Sequence, residues 1–87
     1  MPPKANIGID GLQRPKDADE RISQNIAEIF SSPTGAEVLR YLRSVTIEMV
    51  NGPAVTPNEL MHMEGQRYLV GLLERRIAHG RRSKNNV

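Results

Sequence analysis

Between residues 17 and 79 the apolar side chains return every three or four positions, and no strand-like alternation is visible. That period belongs to amphipathic helices. Residues 17–30 place Ile22, Ile26, Ile29 and Phe30 on one stripe. Residues 33–50 line up Val38, Leu42, Val45 and Met49, flanked by Leu39, Tyr41 and Val50, with Arg40, Arg43 and Glu48 turned away. Residues 57–79 carry a broad band of Leu60, Met61, Tyr68, Leu69, Leu72, Leu73 and Ile77. Three helices are predicted.

The punctuation between these stripes agrees with them. Asp17 and Glu20 have the spacing of a capping box, and Asp19 and Glu20 sit where the positive end of a helix favours acids. Ser32-Pro33 pairs an N-cap hydroxyl with a proline that fits the first helical turn, and Thr56-Pro57 with Glu59 repeats the device. Asn51-Gly52-Pro53 ends the second helix, and Gly80 is expected to close the third. Gly65 falls inside the third helix, where glycine costs about 1 kcal/mol relative to alanine. That cost makes sense where another helix crosses closely.

The fold class expected is therefore all-α: a small three-helix bundle over 17–80, with an extended N-terminal arm (1–16) and a basic C-terminal tail (81–87). The helices can pack antiparallel. The arm has Pro2, Pro3, Pro15, Gly8 and Gly11 and no periodicity, so it reads as disordered when free, with Ile7, Ile9 and Leu12 as its apolar contact points. The third helix should overhang the other two and carry Arg75 and Arg76 toward the tail.

Composition sharpens this picture. Eighty-seven residues make one small domain of marginal core, and the chain has no cysteine to staple it. Packing or a partner must supply the missing stability. No apolar run approaches the roughly 20 residues of a membrane span, and the N-terminus lacks an apolar leader core, so a soluble protein made in the cytoplasm is expected. Net charge is +2 but polarised: residues 1–74 hold seven Lys/Arg against ten Asp/Glu, and residues 75–87 hold five basic residues and no acid. Arg75, Arg76, Arg81, Arg82 and Lys84 thus form a cationic end suited to phosphate or an acidic protein surface; a solvated, frayed terminus explains them equally well.

Candidate chemistry is sparse. Glu59 and His62 form one E-x-x-H pair, whereas helical di-metal sites use two with further carboxylates. With Glu59 committed to a cap, no metal site, cofactor or catalytic residue is assigned. No serine is placed beside a histidine in the local sequence, and no glycine-rich phosphate loop occurs. A helix-turn-helix reader is disfavoured because the third helix opens with Glu59 and Glu64, which repel phosphate; non-specific contact through the basic end stays open. Met49 and Met61 read as core, and Met63 faces outward by period as an adaptable contact.

The stretch IFSSPTGAEVLRYL followed by EGQRYLVGLLERRI resembles a family of small phage proteins first seen in a Bordetella podovirus and encoded among head and portal genes. The matching residues are Phe30, Ser32-Pro33-x-Gly35, Val38-Leu39, Leu42 and Glu64-Gly65-x-Arg67, within roughly residues 26–78. The segment TIEMVNGPAVTPNELM departs from the aromatic-rich stretch of other members. The family has no assigned enzymatic activity. The resemblance implies a non-enzymatic virion component: a multi-copy, ring-like adaptor docking on the portal, the head-tail region or the inner head. Met63, Glu64 and Arg67, with the apolar points of the arm, are its expected partner contacts. A small nucleic-acid-binding regulator using the basic end is the alternative.

Overall fold

The computed structural model describes residues 6–85, with side chains to residue 83. It contains α1 (Lys16–Ser31), α2 (Pro33–Ser44) and α3 (Pro57–Asn85), and no strand among the described residues. The all-α reading holds, and both Ser/Thr-Pro starts lie where expected. Ser32 Oγ accepts the Gly35 amide at 2.9 Å, and Thr56 Oγ1 accepts the Glu59 amide at 3.2 Å. The capping box expected at Asp17 does not form. α1 begins one residue earlier, behind Pro15, which offers no side-chain cap.

α1 and α3 pack side by side, and their contacts advance together along both chains. Asp19 meets Arg76, Ser23 and Ala27 lie over Gly80, and Gln24 Nε2 donates to Ser83 Oγ at 3.0 Å. The two helices are therefore parallel rather than antiparallel. α2 and the connection after it carry the chain back to the start of α3. The faces in contact also differ from the apolar stripes. α1 buries Asp19, Ser23 and Ala27, while Ile29 remains 60% exposed.

The reason lies at Gly80. A Cβ there would stand 2.8 Å from Ala27 Cβ and closer still to the Ser23 carbonyl oxygen. Two helices this near each other admit only small residues between them. Gly80 consequently does not close α3; it sits in mid-helix at the α1 contact, and the helix continues to Asn85. Gly65, expected at such a crossing, has no atom within 4 Å of where a Cβ would be. Gly35 is at such a close approach: the position a Cβ would take lies against the backbone of Ile29 and Phe30, which lets α2 leave α1 after the single residue Ser32.

α2 ends at Ser44, six residues before the expected stop. Ser44 and Thr46 hydroxyls donate to the carbonyls of Tyr41 and Leu42, at 2.7 and 2.6 Å, drawing the backbone out of helical geometry. Arg67, from α3, then donates to the carbonyls of Thr46 at 3.0 Å and Met49 at 2.6 Å. Arg43 binds both Glu74 and Glu48, which raises its affinity for its proton and ties the end of α2 to α3.

The molecule is flat, with extents of 52 × 39 × 14 Å. The least of these is about a quarter of the greatest. The radius of gyration is 16.0 Å, against about 12 Å for a compact chain of this length. Buried apolar side chains among the described residues are correspondingly few: Ala27, Val70 and Ile77. The overhanging part of α3 is its N-terminal half, not the basic end, because Arg76, Gly80, Arg81 and Ser83 are engaged with α1.

Candidate functional site

Three surfaces need to be separated: the buried arginine at the centre, the basic end, and the uncovered half of α3. Arg76 belongs to the first. It is 3% exposed. Its Nη1 donates to the Asp19 carbonyl and to Ser23 Oγ, each at 3.0 Å, and its Nη2 lies 2.8 Å from Asp19 Oδ1 and 3.3 Å from Asp10 Oδ2. The Asp19 contact is an ion pair out of line for a hydrogen bond. Arg76 was expected to reach phosphate or an acidic partner; this placement corrects that reading. A guanidinium this deep is kept by its partners because a lone buried charge is costly.

The same arginine fastens part of the arm. Residues 6–15 double back, with Ile7 bridging Gln13 and Gly11 at φ 82° in the turn. Asp10 holds the turn through Arg14 at 2.7 Å and the Leu12 amide at 3.0 Å, and reaches Arg76 as well. So within the described residues the arm lacks a helix, as expected, but is pinned rather than free. Ile7 and Leu12 are more than half exposed and Ile9 is half-buried. Residues 1–5 lie outside the described set.

The hydrogen bond from Arg14, helped by the Leu12 amide and the charges of Arg14 and Arg76, holds the Asp10 carboxyl down from an ordinary 3.8 to about 2. Its contribution to stability is complete above the unfolded value and is lost as pH falls from about 4 through about 2. Urea midpoints measured from pH 6 to pH 2 should therefore fall less steeply for Asp10→Asn than for the wild-type chain below pH 4. Parallel profiles would show that Asp10 does not hold the arm.

At the basic end, Arg75, Arg81 and Arg82 are exposed, and Arg81 leans on Ser31 at 3.3 Å. The side chain of Lys84 lies outside the described set. The end is helical through Asn85, so its charges are presented on a rigid rod rather than a loose tail. His79 stands nearly two turns before the end of α3 and lines a hollow of about 270 Å³ with Gly8, Lys16, Asp19 and Glu20. A second open groove of about 630 Å³ runs between α1 and Arg81. Among the described residues no three His, Asp or Glu side chains gather to hold a metal ion, and no helix is long and apolar enough to cross a membrane. His62 Nε2 faces Gln66 Nε2 at 3.1 Å.

The uncovered half of α3 is the surface sequence reasoning placed least well. Met61, read as core, is 73% exposed, while Met63, read as the outward contact, is half-buried. Tyr68 and Leu69 are each 58% exposed. Glu64 pairs with Arg67 at 2.7 Å along the helix, which steadies the arginine that clamps the connection after α2. Glu64 itself remains exposed. On α2, Val38 and Tyr41 are likewise exposed, and Val50 beyond it is 90% so. The signal available was the length of the apolar band in α3, which exceeds what two short helices can cover.

No curated protein and no solved structure matches the chain. A family model described as Bbp19-like phage protein matches residues 26–83. That span takes in the end of α1 from Ile26, all of α2, its clamp on Arg67 and α3 as far as Ser83, while Asp19, Ser23 and Gln24 of α1 lie before it. The chain belongs to the Bbp19-like family of phage proteins.

Proposed function

We propose that this phage protein is a non-enzymatic part of the virion, a helical adaptor present in many copies and docked on the portal, the head-tail region or the inner head. The observation that carries the reading is the uncovered apolar surface of a flat, thinly cored member of a phage family. Domains are ordinarily built from two packed layers around one core. A slab with three buried apolar residues among those described completes that arrangement against another protein. No cluster of side chains described above supplies a nucleophile with an adjoining base, which is why a binding role is preferred to catalysis. Mass spectrometry of purified virions tests the proposal: several copies per portal complex are expected, and absence from intact particles would remove the structural role.

The second reading, a small nucleic-acid-binding regulator, is favoured by the exposed Arg75, Arg81 and Arg82 on a rigid helix end. It makes its own prediction. Non-specific binding to duplex DNA should weaken steeply with salt and weaken further in an Arg75→Ala, Arg81→Ala, Arg82→Ala triple variant, whereas Arg76 should contribute only through folding. A gel shift that is unchanged in the triple variant would eliminate this reading.

A further inference from the structure

We infer that two copies of this chain pair through the N-terminal half of α3, crossing antiparallel at Gly65. At about 100° per residue, Met61, Gly65, Tyr68 and Leu72 fall within about 60° of one another, with Leu69 beside them. Their i, i+4, i+7, i+11 spacing is that of a helix-packing seam. Gly65 lies in the middle of it, and the space above its α-carbon is empty. A glycine that weakens its own helix, sits at the centre of an exposed apolar stripe and, among the described residues, has nothing but its own helix against the empty Cβ position leaves room for a backbone from outside the chain.

The occupant is argued from area and symmetry. Each side of a standard interface contributes about 800 Å², close to 60% of it apolar, or roughly 500 Å². Met61, Tyr68 and Leu69, at 73%, 58% and 58% exposure, offer roughly 400 Å² between them, judged from ordinary side-chain areas. The half-buried Leu72 adjoins them. The stripe is also self-complementary. A two-fold axis through Gly65 sets Met61 beside Leu69 of the partner subunit and Tyr68 beside His62 of the partner subunit. Residues equally far before and after Gly65 meet, as an isologous interface requires. The 14 Å thickness fits the same outcome, because a second copy supplies the missing layer.

This deepens the multi-copy reading above and rests on it only in that copies meet. Its test does not use the virion. Sedimentation equilibrium of the full chain should give a dimer at micromolar concentration. Gly65→Leu, which meets no atom inside the monomer, should weaken that dimer at least tenfold while leaving the helical circular dichroism unchanged. The chain has no cysteine, so a Met61→Cys, Leu69→Cys variant reports the register directly. Oxidation should link it into covalent dimers, and Val50→Cys, off the stripe, should not link. A wild-type chain that stays monomeric at about 100 μM would overturn the inference, as would a dimer indifferent to Gly65→Leu. Either result leaves the virion assay free to succeed or fail separately.

Discussion

Arg76→Ala is expected to cost about 3–5 kcal/mol, the usual penalty for breaking a buried ion pair by removing one partner. A domain of this size has a total stability of about 4–13 kcal/mol, so much of the margin goes with one side chain. The size of the effect follows from what stays behind. Asp19, whose side chain is 9% exposed, would keep its charge with no cation beside it, and Ser23, fully buried, would lose its donor. Asp10 would be less affected because Arg14 still holds it. Urea unfolding at fixed protein concentration checks this, the concentration being held because association shifts apparent stability. Arg76→Met combined with Asp19→Leu should recover most of the loss, since an apolar pair of similar volume can replace a buried ion pair. A single variant within 1 kcal/mol of wild type would mean that the network is not what joins α1 to α3.

Gly80→Ala and Gly65→Ala should move stability in opposite directions although both remove a glycine from the same helix. Each gains about 1 kcal/mol of helix propensity. At Gly65 the methyl group enters open space, so the monomer keeps that gain. At Gly80 it enters the Ser23 carbonyl and Ala27, both on the backbone-rigid face of α1. Overpacking of this kind costs about 1–3 kcal/mol, occasionally more, and α1 must also move away from Arg76. A net loss of about 1–2 kcal/mol is expected. Gly35→Ala should behave like Gly80→Ala, because its methyl meets the Ile29 carbonyl at the α1–α2 corner. Thermal melts at concentrations low enough to keep the chains apart give the comparison. Equal shifts for the two α3 variants would show that Gly80 is not a contact point.

The two Ser/Thr-Pro starts were legible because a cap is a local device: hydroxyl, amide and proline lie within four residues of each other. The ends were less legible. α2 stops at Ser44, where the Ser44 and Thr46 hydroxyls take the carbonyls of Tyr41 and Leu42, and Arg67, more than twenty positions later, holds the Thr46 and Met49 carbonyls of the connection that follows. The local Asn51-Gly52-Pro53 signal is real but is reached only after the helix is over. At the candidate surface, periodicity identified a band on α3 wide enough for a partner but ranked its methionines the wrong way round. Period alone tells which residues share a face and is silent on which face a neighbour covers.

Sequence by itself determined that this chain is three helices, where two of them begin, that its arm is not helical and that it falls in a phage family. These depend on short-range hydrogen bonding, side-chain period and residue-by-residue similarity. Only the tertiary structure decided that α1 and α3 run parallel, that Ser23 and Ala27 rather than the isoleucines meet α3, that Arg76 is a buried tie and not a phosphate contact, and that Gly80 rather than Gly65 is occupied within the chain. The physical reason is one of distance. Helix formation is settled within a few residues, whereas the choice of face depends on how closely two backbones far apart in sequence approach, and that was fixed here by a glycine, a serine and an alanine too small to carry any hydrophobic signal of their own.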